Sequence, residues 1–218
     1  MGTQLIPQLA YQAGKHIRLQ GGVFLQSDFG NQNLRQTSPV LTLKMQKNGY
    51  SFLFGTLEGN LSHRLLEPLY NYERYMQQPL ENGLQIKVDK PRIWSDTWLN
   101  WEVMQYLGSP YQERFSAGHS SVFTLVNQPQ LKVRIPVQGL VTHRGGQIDT
   151  VSTPLETLLN ASAGFSLSWY PGGFFRELRT DNYAVLYRDL SPSKQTTFTS
   201  GGGFYLNATA VSRYDVSA

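Results

Sequence analysis

The chain has 218 residues, 19 Lys and Arg against 15 Asp and Glu, 40% hydrophobic and 12% aromatic residues, and no Cys. Its aromatic content excludes a disordered chain, and the lack of Cys excludes a disulfide framework and a thiolate metal site. No apolar run nears the roughly 18 residues of a membrane-spanning helix.

The basic residues are scattered from Lys15 to Arg213. Nucleic-acid binders concentrate theirs on one face or in one run, so no nucleic-acid partner is expected. Residues 1–7 show neither a basic nor an apolar leader region, so the chain reads as one without its signal peptide. The whole length, 1–218, reads as a single domain.

In chain order the dominant signal is period-two alternation, which predicts strands near 4–12, 16–27, 38–47, 50–58, 83–90, 94–104, 114–126, 131–142, 156–170, 174–188 and 197–213. Asn48-Gly49, set between alternating runs, predicts a two-residue hairpin turn. That turn puts Leu43, Met45, Phe52 and Phe54 on one face and Thr42, Lys44, Gln46 and Ser51 on the other, with Leu53 as the exception. Between the fourth and fifth strands, 59–82 carries Leu61, Leu65, Leu66, Leu69, Tyr72 and Met76 at helical spacing. This predicts a short helix in a long loop, delimited at Pro68.

Short turns at 13–15, 48–49, 91–93, 127–130 and 171–173 alternate with long connections at 28–37, 59–82, 105–113, 143–155 and 189–196. Such asymmetry, with long strands and aromatic residues near their ends, is the habit of outer-membrane barrels. Hydrocarbon cannot hydrogen-bond a peptide group, so a sheet in a bilayer closes on itself. The expected fold is an all-β, antiparallel up-and-down transmembrane β-barrel of about 12 strands, 11 of them read here, with one expected before residue 1 because single-chain barrels have even counts. Leu43, Phe52, Val133 and Phe165 are expected to face lipid. Arg18, Lys44, Lys87, Asp89, Asp96, Glu102, Lys132 and Arg134 are expected to line the lumen as a mixed-sign network.

Leu65-Leu66-Glu67-Pro68-Leu69-Tyr70-Asn71-Tyr72-Glu73-Arg74, Trp98-Leu99-Asn100-Trp101-Glu102, Gln112-Glu113-Arg114-Phe115 and Gly145-Gly146-Gln147-Ile148-Asp149 resemble phrases of Bacteroidota outer-membrane barrels. The resemblance implies an outer-membrane location, contact with outer-membrane lipid and other envelope proteins, and no particular activity. Barrels of that kind commonly end on an aromatic residue; this chain ends Tyr214-Asp215-Val216-Ser217-Ala218.

Chemistry is sparse. None of His16, His63, His119 and His143 forms a close metal-ligand motif, and there is no phosphate-binding loop or nucleophile elbow. No cofactor or metal is expected. The sharpest catalytic candidate is His119-Ser120-Ser121, whose His119 and Ser121 share the expected lipid face. The pair resembles the His-x-Ser of outer-membrane phospholipases and lipid A deacylases. The following strand supplies only Val133, Ile135 and Val137 on that face, and none of these can orient His119. Asp96 and Glu102, six residues apart on one strand, are ~20 Å apart, too far for a glycosidase pair.

The leading expectation is a non-enzymatic narrow channel or structural envelope subunit. A lipid acyl hydrolase using His119 and Ser121 and a soluble glycan-binding sandwich are the alternatives. Whether 59–82 fills the lumen discriminates the channel from the structural subunit.

Overall fold

The structure, a computed structural model, describes residues 2–31, 33–59 and 62–214. Leu61 and residues 215–218, invoked above, lie outside the described residues. The elements are β1 (Gly2–Leu5), β2 (Gln8–Ala13), β3 (Ile17–Asp28), β4 (Leu34–Lys47), β5 (Tyr50–Thr56), a 3₁₀ turn (Glu67–Leu69), α1 (Arg74–Gln77), β6 (Asn82–Lys90), β7 (Ile93–Val103), β8 (Arg114–Asn127), β9 (Leu131–Arg144), β10 (Glu156–Trp169), β11 (Phe175–Asp189) and β12 (Ser200–Ser212). All 12 strands join one antiparallel sheet in which each strand from β3 onward pairs with the next in sequence. This is the expected all-β, up-and-down order.

The predicted first strand exists but is broken in two. β1 and β2 both pair with β3, at Leu5↔Leu25 and Gln8↔Gly22. The break falls at Ile6-Pro7, where proline has no N–H to give a ladder; its carbonyl still accepts from the Val23 N–H at 3.2 Å. β1 and β2 therefore share one place in the sheet, and the sequential ladder has 11 places, as read from the alternation. Among the described residues no pairing joins β12 to β1 or β2.

The Asn48-Gly49 turn forms as predicted, both residues at positive φ (51° and 79°), and sets the register Lys47↔Tyr50, Met45↔Phe52 and Leu43↔Phe54. From there the register carries two faces across the sheet. One holds Leu43, Phe54, Leu84 and Leu99 in successive pairs. The other holds Arg18, Lys44, Leu53, Gln85 and Trp98.

The second face is the buried one, and its burial is mostly polar: Gln85 and Ser120 are wholly buried, and Asp96 and Asn100 nearly so. The 59–82 segment lies on this inner face. Its Leu65, Leu69 and Tyr70 pack with Trp98 of β7 and Leu140 of β9 to make the apolar core. Leu53 joins the inner face fully buried, which explains the one break in the hairpin's alternation. The helical stripe read across 59–82 does not form a single buried face, since Tyr72 and Met76 are exposed. Among its described residues one 3₁₀ turn and one α turn form, and the segment is shaped by what it packs against.

Candidate functional site

Two neighbourhoods carry chemistry, one on each face of the sheet. The inner one is centred on His63, which sequence reading left without a role. His63 and Arg64 both adopt left-handed backbone, φ 48° and 59°, a conformation that costs non-glycine residues energy and gathers at functional sites. Gln138 of β9 clamps the kink from both sides, donating to the Arg64 carbonyl at 2.7 Å and accepting from the Leu66 N–H at 2.9 Å.

The kink delivers the His63 ring onto Trp98, stacked at 3.6 Å between centroids and 6° between planes. His63 Nδ1 bonds Asp96 Oδ2 at 2.9 Å and Nε2 bonds Glu81 Oε2 at 2.7 Å. Gln85 Nε2 donates to both oxygens of Asp96, at 2.9 and 3.0 Å. Burial works against charge on the imidazole, yet the hydrogen bonds to Asp96 and Glu81 outweigh it and hold the pKa above the ordinary 6.5. As an imidazolium, His63 donates from both nitrogens.

Arg74, on α1, completes the group. It donates to Glu102 Oε1 at 2.7 Å and lies 3.7 Å from Glu81. Among the described residues its buried Nε and Nη2 have no hydrogen-bond partner, nor has Ser116 Oγ of β8. His63, Arg74, Glu81, Trp98 and Ser116 line one cavity of about 330 Å³, together with Leu69, Leu140 and Asn160. Buried donors beside a hydrogen-bonded histidine at a cavity wall mark a candidate site for a polar ligand group.

The outer neighbourhood is the pair singled out from sequence. Register places His119 opposite Thr97 and Gly139, and Ser121 opposite Ser95 and Val137. The orienting partner missing from β9 comes from the other side: Thr97 Oγ1 of β7 bonds His119 Nδ1 at 2.8 Å. Ser121 Oγ instead donates to the Val137 carbonyl at 3.3 Å and is only 1% exposed. Among the described residues no hydrogen bond joins His119 to Ser121.

The other residues named from sequence fall as follows. Asp96 and Glu102 both join the His63 group, bridged by the intervening 59–82 segment. Lys44 pairs with Glu58 at 2.6 Å, and Lys87 donates to the Glu58 carbonyl. Lys132 lies over the Tyr170 ring. Arg18 sits opposite Lys44, Asp89 opposite Trp94, and Arg134 between Thr124 and Ser166. Leu43, Phe52, Val133 and Phe165 lie on the opposite, outer face, outside the apolar core.

His63 and Glu81 were missed because they sit in the irregular segment, where no period marks them. The Ser62-His63-Arg64 phrase gives no metal or nucleophile spacing; only folding brings it against Asp96, 33 residues on. The chain matches the family model described as Lipid A 3'-O-deacylase-type over residues 1–216. Neither the curated proteins nor the solved structures give a match. With nearly its whole length matched, the chain belongs to the lipid A 3'-O-deacylase-type family.

Proposed function

We propose that the protein is an outer-membrane hydrolase that removes an ester-linked acyl chain from lipid A, using the inner-face group around His63. The carrying observation is the His63 imidazole held between Asp96 and Glu81 at a cavity wall beside Arg74, whose buried Nε has no hydrogen-bond partner among the described residues. Asp96 fixes the ring through Nδ1 and so holds Nε2 against Glu81. Water attacks the acyl carbonyl and gives one proton to the Glu81 carboxylate, which the His63 imidazolium holds in place. Arg74 donates to the developing oxyanion. The tetrahedral adduct then expels the sugar alkoxide, which takes one proton back. One ester and one water give one acid and one alcohol.

Family membership favours hydrolysis over the channel, and so does the 59–82 segment seated on the inner face. An outer-membrane setting is supported by the outer face itself, where Leu41, Phe54, Ile86, Phe165, Phe204 and Leu206 are all 50% exposed or more. Such a surface suits acyl chains and is costly in water.

A second reading keeps His119 as base and Ser121 as nucleophile on the outer face, and the Thr97 hydrogen bond favours it. Two facts weigh against it. Ser121 is covered even in the bare chain. It also lies six residues along β8 from Phe115, which packs with Trp101 and His143 near the long-loop end. Six residues are ~20 Å of strand, which in an outer-membrane setting separates Ser121 from ester linkages at the interface.

The deciding experiment is mass spectrometry of lipid A from cells expressing His63→Gln or Ser121→Ala. The inner-face reading requires acyl release by the wild type, loss in His63→Gln and retention in Ser121→Ala. The reverse pattern overturns it in favour of the outer pair.

A further inference from the structure

Beyond Gln138, on the short-turn side of the inner face, lies a second cavity of about 410 Å³ that the deacylation reading does not use. Its charged lining is unbalanced: Arg64 and Arg134 stand with a single carboxylate, Asp181, while the Lys90 ammonium is turned to Tyr50, donating to its hydroxyl at 2.7 Å. Asp181 is already engaged by Arg179, at 2.9 Å from Nε.

Register explains why Arg134 stays unmatched. Thr124, Arg134, Ser166 and Asp181 form one row across β8, β9, β10 and β11, so the immediate neighbours of Arg134 are two hydroxyls. Arg64 is aimed into the same space by the left-handed kink at residues 63 and 64. Its guanidinium lies 4.0 Å over the Trp94 ring, a stacking that fixes its plane. Two guanidinium forks and the hydroxyls of Thr124, Ser166 and Tyr183 surround a space larger than one anion needs. A tetrahedral dianion accepts from this donor set, and forked pairing with Arg is its preferred contact.

We infer that this chamber binds a phosphoryl group, as inorganic phosphate or as the phosphate of a small soluble ester. It is separate from the His63 cavity, and the strained His63-Arg64 step connects the two by sending one side chain into each.

The test is titration of the detergent-solubilised full chain with inorganic phosphate and, in a parallel arm, with glucose 1-phosphate, at constant ionic strength set with chloride. Binding is read by calorimetry and by Trp fluorescence, to which Trp94 reports directly. Saturable binding is expected, weakened at least tenfold by Arg134→Gln and about threefold by Thr124→Val, which removes one donor with little change of shape. The tighter of the two arms identifies the source of the phosphoryl group. Heat-modifiability on a gel and far-UV circular dichroism show whether each variant is folded. No saturable binding to either probe, or equal binding by wild type and folded Arg134→Gln, overturns the inference.

Discussion

The imidazole of His63 lies flat on the indole of Trp98, 3.6 Å between ring centroids, and the space for that stack exists because residue 118 on the next strand is glycine. A Cβ at Gly118 would overlap the six-membered ring of Trp98. Register sets the two directly opposite, Trp98↔Gly118. One missing methyl group on β8 therefore decides where a residue of the 59–82 segment can dock.

Gly118→Ala is accordingly expected to displace Trp98 and loosen the segment, costing about 1–3 kcal/mol, the usual penalty of an overpacked interior. Urea unfolding of the refolded protein measures the loss. Trp98→Phe in the same background should recover part of it by vacating the contested volume. No recovery would mean that Gly118 acts through the backbone alone.

The hydrogen bonds of His63 make stability depend on pH with a definite sign. Because the folded pKa is raised above the ordinary 6.5, the stabilisation is fully present below about pH 6.5 and is lost as pH rises through the folded value. Unfolding midpoints from pH 5.5 to 9 should fall across that window in the wild type, and His63→Gln should flatten that part of the curve. A wild-type profile that rises there would contradict the assigned pairing with Asp96 and Glu81.

In the proposed mechanism Arg74 donates to the developing oxyanion. Arg74→Gln is expected to lower the acyl-release rate by about 10²–10³-fold, the range for loss of one oxyanion donor, with little change in KM. A purely structural role would instead change KM or expression. Asp96→Asn tests the orienting partner and should lower kcat while preserving assembly, since Gln85 can bond an amide as well.

The outer face provides a test that does not depend on catalysis. Phe165 is about half exposed there, opposite Asn182. In a bilayer Phe165→Arg is expected to cost about 2–4 kcal/mol if it lies near the midplane, and to reduce membrane assembly and gel heat-modifiability. In a water-soluble body the same change would be neutral, which would remove the membrane setting.

Much of this molecule was legible in the residue order because its strands are long and half-buried. A period of two is a local signal, and a tight Asn-Gly turn fixes register without help from distant residues, so even Leu53 declared itself as an exception before its burial was known. The boundaries of the strand at 114–126 and the hairpin at 47–50 needed nothing but neighbours in sequence. Only Pro7 altered the count, by splitting one strand in two.

The site is different. The order of residues settled the all-β, up-and-down sheet, since alternation acts through bonded neighbours. It could not determine that His63 bridges Glu81 and Asp96, that Thr97 and not a residue of β9 holds His119, or that Arg64 and Arg134 share a chamber. Those pairings join an irregular segment to several strands, or one strand to its other neighbour. They follow from Gly118 leaving room, Gln138 clamping a strained turn and apolar Leu65 and Leu69 seeking cover, all interactions that exist only once the chain has folded onto itself.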